Sequence, residues 1–476
     1  MTSHRIMASV GAFLILFLLL GGCKDSTPFD AGTGLGNATV TKYVAIGNSI
    51  TAGYQSGGLF QSGQIYSYPN LISQQLTKAG ASIGAFQQPL YSDPGTPDPE
   101  TGKASRYEII SLVGPVVGPT GAAPGVPINT TLPRPYDNLG IPGAITLDFL
   151  DSTAAAVPPR GNGMFSLILR TPAFGKSMMQ QAVALHPDLV TFWLGNNDVL
   201  GYATSGGVTQ LVPGAAFNVI YTQSVTVLRA ALPNAKIVLA NIPDVRSIPF
   251  FTTLGPKIVA GLPAGVYLRY QKHGNNSVAF DSTRFAESTP PLFTLPGIAY
   301  ASLIGRPSGL WYSLNGITPG PGIDTTKPFG VHPQNPWPDE LVLDADEQAN
   351  AGAAIASYNQ TIAAQAQAIG AALVDVNAFF TSLKQSGLTV GGIEFTADYI
   401  SGGLFSLDGV HPSSRGQGLI ANLFLKAMNA KFGMDIPLID VSTLPGIPAP
   451  LAKGSALPIV DPNLYRTMQQ VFGSAR

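Results

Sequence analysis

The stretch Tyr43-Val44-Ala45-Ile46-Gly47-Asn48-Ser49-Ile50-Thr51-Ala52-Gly53-Tyr54 decides how the rest of this chain is read. The apolar run from Tyr43 to Ile46 has the length and continuity of a buried strand, and Gly47 lets the backbone leave it sharply. A serine placed there stands at the C-terminal edge of a strand, where open α/β sheets bind their ligands. Taken alone, the stretch reads first as an ordinary strand followed by a serine-bearing turn. Its meaning depends on what other elements deliver to the same edge.

Downstream, helical patterns alternate with short apolar runs. Tyr68 to Ala79 sets Leu71, Ile72 and Leu76 on one face and is read as the first crossover helix. After Asn138-Leu139-Gly140-Ile141-Pro142-Gly143-Ala144 and a helix over 174–185, the run Asp188 to Leu194 again ends at a glycine, Gly195, followed by Asn196-Asn197-Asp198. A helix over 215–232, a strand over 236–243, a long helix over 340–369, a strand over 371–376 and a last core helix over 419–432 continue the rhythm. Such alternation predicts a parallel sheet with helices on both faces, an α/β fold. The core domain is expected over 42–435, with Pro- and Gly-rich insertions at about 87–135 and 246–339. The second insertion is rich in aromatics, among them Phe250, Tyr270 and Trp311, which either line an apolar substrate groove or form the core of a self-packed subdomain. Residues 436–476 form a C-terminal extension whose short helix near 462–472 has no role assignable from sequence.

Charged residues are 11% of the 476 and the formal net charge is −1, which removes the electrostatic case for nucleic-acid binding. Residues 1–22 read as a signal peptide: His4 and Arg5, then an apolar run from Ile6 to Leu20, too short to span a membrane comfortably. The ending Leu20-Gly21-Gly22-Cys23 resembles a bacterial lipobox, which implies cleavage before Cys23 and lipidation of its thiol. An ordinary secretory signal is the alternative. Cys23 is the one cysteine of the chain, so neither an internal disulfide nor a multi-cysteine metal site is available. Residues 23–41 then suit a tether, and the expected location is extracytoplasmic, anchored to a bacterial membrane or surface.

Acyl transfer without a metal needs a nucleophile, a base, a group orienting the base, and donors for the oxyanion. Ser49 is the candidate nucleophile. Of five histidines, His4 lies in the signal, His186 precedes a proline at a helix-to-strand junction and His273 lies in the second insertion, which leaves His332 and His411. Asp408 stands three residues before His411, whereas Phe329 occupies that place before His332. An Asp so placed can accept from one imidazole nitrogen and leave the other facing the serine, so His411 is the preferred base. Asn197 can offer a side-chain amide to the oxyanion, and Gly143 and Ser49 backbone N–H groups. No metal or organic cofactor is required.

These residues fall in an ordered set of blocks: Gly47-Asn48-Ser49, Asn138 to Gly143, Gly195-Asn196-Asn197-Asp198 and Asp408-Gly409-Val410-His411. In that order and spacing the chain resembles the GDSL, or SGNH, esterases and lipases. The resemblance implies a flavodoxin-like three-layer α/β/α sandwich, with Ser49 as nucleophile, His411 as base, Asp408 as its partner, and Ser49, Gly143 and Asn197 as the oxyanion hole. One departure is Asn48, where the family usually has Asp. The function expected is a lipid-anchored serine esterase or lipase acting on a lipid or acylated glycan; a carbohydrate O-deacetylase on the same fold and a non-catalytic surface lipoprotein that binds lipid or glycan are the alternatives.

Overall fold

The computed structural model describes residues 34–111, 115–272, 280–283, 289–447 and 458–472; the signal segment, Cys23 and His273 lie outside them. Five strands, β1 (Tyr43–Gly47), β2 (Asn138–Gly140), β3 (Leu189–Trp193), β4 (Lys236–Ala240) and β5 (Ala372–Val374), form one parallel sheet in the order β2-β1-β3-β4-β5. This is the flavodoxin-like doubly wound order, whose direction of winding reverses between β1 and β3. Every residue of β1 and β3 is buried, as their unbroken apolar runs require of central parallel strands.

The layers follow from the two-residue period of β3. Phe192 points to one face, where its ring meets Tyr221 of α5 (Gly214–Ala231) at 5.7 Å. Phe217 of α5 in turn stacks at 4.0 Å on Tyr358 of α6 (Ala345–Ala368). Its neighbour Trp193 points to the other face and meets Tyr68 of α2 (Tyr68–Lys78) at 5.8 Å, and Tyr68 stacks on Phe424 of α7 (Ser414–Phe432) at 4.7 Å. Helices therefore cover both faces, giving a three-layer α/β/α sandwich.

Element boundaries differ from the sequence reading where capping decides them. The long helix starts at Ala345, not at residue 340, because Asp344 and Glu347 form a capping box: Glu347 N–H donates to Asp344 Oδ1 at 2.9 Å and Asp344 N–H to Glu347 Oε2 at 2.7 Å. Ahead of it, Val342–Leu343 pairs antiparallel with Leu292–Phe293. Helix α7 starts at Ser414, five residues earlier than read, with Ser413 Oγ accepting from the Gly416 N–H at 3.1 Å. Glycine propensity argues against helix there, but a Cβ on Gly416 would lie 2.2 Å from the Leu404 carbonyl oxygen, so close packing selects the glycine. The helix read over 174–185 is α3 (Met178–Ala184), capped by Ser177. Strand β2 went unread because it is only three residues long. Residues 34–40, read as tether, dock on the domain: Gly34 and Asp435 exchange both backbone hydrogen bonds, and Val40 is buried.

The aromatics of the second insertion are part of the main hydrophobic core. Phe250, Tyr270, Phe293, Tyr300, Trp311 and Trp337 are all buried, and Phe293 and Trp337 meet edge to face at 5.7 Å. In the first insertion, strands Tyr107–Ser111 and Val116–Pro119 pair antiparallel, and Ile459–Val460 joins them in parallel alongside Val116–Val117. The extension then forms α8 (Leu464–Phe472), which packs Tyr465 against Trp311 at 4.9 Å and pairs Arg466 with Glu100 at 2.9 Å. Both insertions are thus bound together by the C-terminal extension. Among the described residues, no helix is long and apolar enough to cross a membrane.

Candidate active site

Strand β1 ends at Gly47, where a Cβ would lie 2.0 Å from Thr51 Oγ1, so only glycine permits the tight exit into α1 (Ser49–Ala52). Asn48 caps this short helix, its Oδ1 accepting from the Ile50 N–H at 3.1 Å. A carboxylate could accept the same bond, so the backbone turn survives Asn in that place; Asn48 Nδ2 is buried and has no partner among the described residues. Ser49 is thereby placed with its N–H in a first helical turn, where backbone donors have no intrahelical acceptor.

The loop before α7 brings the other half. His411 Nε2 lies 2.8 Å from Ser49 Oγ, and His411 Nδ1 lies 3.0 Å from Asp408 Oδ2. Asp408 is fully buried, and its Oδ1 also accepts from the N–H groups of Val410 and His411 at 2.9 and 2.8 Å and from Ser406 Oγ at 3.1 Å. Burial pushes its carboxyl pKa up, but the adjacent His411 and these hydrogen bonds outweigh it and hold the group below its ordinary value. Gly409 makes the turn at φ 72°. The serine and histidine segments are also zipped together directly: Ser56 N–H donates to Ser406 Oγ at 2.8 Å, Gly57 N–H to Asp408 Oδ2 at 3.1 Å, and Leu407 N–H to Ser56 Oγ at 3.2 Å. The Tyr54 ring covers the His411 imidazole at 4.7 Å.

The candidate oxyanion donors stand just beyond the tips of β2 and β3, the strands on either side of β1. Ile141 N–H donates to Gly47 O at 3.0 Å, which fixes the start of the turn in which Gly143 takes φ 79°. Asn197 opens α4 (Asn197–Thr204); one N–H of its amide donates to Ala144 O at 2.9 Å, and the amide has a second for an incoming oxygen. The sequence reading missed how this turn is braced. Asp198 Oδ2 accepts from Thr146 N–H at 2.9 Å and Thr146 Oγ1 at 3.1 Å, and Arg160 clamps Asp148 through two bonds of 2.8 and 2.6 Å. Burial raises the Asp198 carboxyl to about 6, against the lowering effect of the Thr146 bonds. The Asp198 signal was present in the third block beside Asn197; Thr146 carried none, since its partner lies 52 residues along the chain, and Arg160 reaches Asp148 across an irregular segment with no periodicity to reveal it.

His332 lies elsewhere, in a turn of the second insertion, where its Nδ1 accepts from the Gln334 N–H at 3.2 Å; it makes no hydrogen bond to Ser49. Among the described residues, no group of three or more His, Cys, Asp or Glu is arranged to hold a metal ion.

A solved protein of Parabacteroides merdae assigned as a GDSL-like lipase is 15% identical to the chain, over 53% of this chain and 64% of that one, with a TM-score of 0.24. The chain thus spans less than two thirds of that protein. LAE5, an α/β hydrolase enzyme from the metagenome of Lake Arreo in Spain, is 14% identical over 83% of this chain and 98% of that one, with a TM-score of 0.35. An extracellular lipase from Streptomyces rimosus is likewise 14% identical, over 83% and 100% of the two chains, with a TM-score of 0.30. No curated protein matches the chain. The family model for GDSL-like lipase/acylhydrolase matches residues 43–294, just over half of the chain, a span that holds Ser49, Gly143 and Asn197, while the fold returns Asp408 and His411 to them from outside it. On that match, the chain belongs to the GDSL-like lipase/acylhydrolase family.

Proposed function

We propose that the protein is a serine esterase or lipase that hydrolyses carboxylic esters through an acyl-serine intermediate. The observation that carries this reading is the relay of two hydrogen bonds from Ser49 Oγ through His411 to buried Asp408, at 2.8 and 3.0 Å. With Nδ1–H donating to Asp408, His411 Nε2 presents its lone pair to the serine. Ser49 Oγ attacks the ester carbonyl carbon as its proton passes to Nε2. The carbonyl oxygen takes the negative charge and is met by the Ser49 and Gly143 N–H groups and the second N–H of Asn197. Collapse expels the alcohol, protonated by His411, and leaves Ser49 acylated. Water then gives a proton to Nε2 as it attacks the acyl carbon, and the acid departs as Ser49 recovers its proton. Asp408 stays ionised throughout and stabilises the imidazolium.

Labelling by a fluorophosphonate tests the reading directly: the folded wild-type protein should be labelled at Ser49 and should hydrolyse p-nitrophenyl esters. Absence of both would favour a non-catalytic surface lipoprotein. Asn197→Ala should lower kcat by about 10²–10³ with a much smaller change in KM, because the lost donor acts chiefly on the oxyanion. A rise in KM with kcat unchanged would place Asn197 in ground-state binding instead.

The same proposal includes anchoring through lipidated Cys23 on the outer side of a bacterial membrane. What supports it is the segment Leu20-Gly21-Gly22-Cys23 behind an apolar run, together with a domain that starts within about a dozen residues of it. Labelled palmitate should enter the wild-type protein in its host and fail to enter Cys23→Ser, which should leave the membrane fraction. Membrane retention of that variant would count against the anchor.

A further inference from the structure

A pocket of about 490 Å³ adjoins the site through Gly143 and Tyr54, the residue whose ring covers His411. Its walls include Tyr91, Met164, Leu167 and Val471. Tyr54 and Tyr91 are buried in a small hydrophobic cluster beside the main core, and the partly buried Met164, Leu167 and Val471 pack against both. Partly covered apolar walls around a space of this size suit an apolar ligand. Several of the polar side chains lining it are paired with protein: Thr96 with Ser105 at 3.1 Å, Arg160 with Asp148, and Asn162 Nδ2 with the Pro142 carbonyl at 2.8 Å.

We infer that this pocket takes the acyl chain of the ester, and that α8, through Val471, forms the wall that limits chain length. The inference rests on the hydrolase reading above and names its substrate side. A Cβ on Gly143 would lie 2.5 Å from the Val471 carbonyl oxygen, so the last turn of α8 sits directly on the turn bearing the candidate oxyanion donor. The helix is held there from several sides. Besides Tyr465 and Arg466, Thr467 Oγ1 donates to Asp98 Oδ2 at 3.4 Å, and Gln469 Nε2 donates to Thr204 O, in α4, at 3.5 Å. An acyl group bound beside Gly143 leaves its carbonyl oxygen next to the oxyanion donors, the arrangement acyl transfer requires.

The test compares kcat/KM for p-nitrophenyl acetate, butyrate and octanoate, and for a matched series of alkyl acetates, in wild type, Val471→Trp and Met164→Trp. Met164 lines the pocket from a different helix, so the two variants do not share a folding risk. The octanoate-to-acetate ratio should fall about tenfold or more in each variant, the scale on which a filled apolar pocket discriminates chain length, while the alkyl acetate ratios hold. An unmoved acyl ratio in both variants, or a loss confined to the alkyl acetates, overturns the inference. Calorimetry on Ser49→Ala reads the pocket without turnover: octanoate should bind, and adding Val471→Trp should weaken it about tenfold. Octanoate binding without hydrolysis of any ester would sink the hydrolase reading and leave the pocket standing; hydrolysis with neither octanoate binding nor a ratio shift would do the reverse.

Discussion

Ser49→Ala is expected to lower kcat/KM for p-nitrophenyl butyrate on the order of 10⁴–10⁶-fold, and His411→Ala nearly as much, with the double variant no worse than the poorer single. The two side chains act as one unit, since the serine is a poor nucleophile unless His411 Nε2, 2.8 Å away, takes its proton. The loss should be catalytic rather than structural. Removing the hydroxyl deletes one hydrogen bond and leaves one buried imidazole nitrogen unmet, a cost of about 1–3 kcal/mol, so the melting temperature should fall by only a few degrees. His332→Ala is the internal control. Its ring is engaged in its own turn with Gln334, and this variant should retain activity close to wild type. A loss matching that of His411→Ala would transfer the base role to His332.

Asp408→Asn should cost about 10⁴-fold in kcat with a folded protein, whereas Asp408→Ala should lose both activity and stability. The distinction comes from the number of donors that converge on this carboxylate: His411 Nδ1, three backbone N–H groups and the Ser406 hydroxyl. Asn keeps an acceptor for some of them but offers N–H₂ where His411 Nδ1–H needs an oxygen, which favours the wrong tautomer. Ala leaves all five unmet in a fully buried place, a loss of about 3–5 kcal/mol. Kinetics and chemical denaturation on the two variants separate these effects; equal destabilisation by both would show that the charge, not the acceptor count, holds the loop. The pH dependence has a definite sign. Because the Asp408 pKa is held below its unfolded value of about 3.9, its contribution to stability is complete above that pH and is lost as pH falls through the lower folded value.

What the sequence carried of this arrangement was local in origin. The run from Tyr43 to Ile46 and the run from Leu189 to Leu194 are buried parallel strands by composition alone, and each ends in a glycine followed by polar residues, so the positions of Ser49 and Asn197 at strand tips follow from the residue order itself. The parallel α/β sheet followed from the same repetition. Elements defined by distant contacts were not legible. Strand β2 has three residues and exists because it pairs with β1, from Ala45 opposite Asn138 to Gly47 opposite Gly140. Gly416 and Gly418 hid the first turn of α7, since what they gain is close approach to Leu404 and Leu444 rather than helix propensity. The terminal helix looked like an appendage because its partners, Trp311, Glu100 and Gly143, come from three other parts of the chain.

The zipper between Ser56–Gly57 and Ser406–Asp408 joins segments about 350 residues apart. A contact of that separation costs the most chain entropy to close and is favoured only once the intervening sheet has supplied a surface for it. Until that contact closes, Ser49 is without the His411 hydrogen bond on which the proposed activity depends, so ester hydrolysis is expected to appear no earlier than formation of the zipper during refolding.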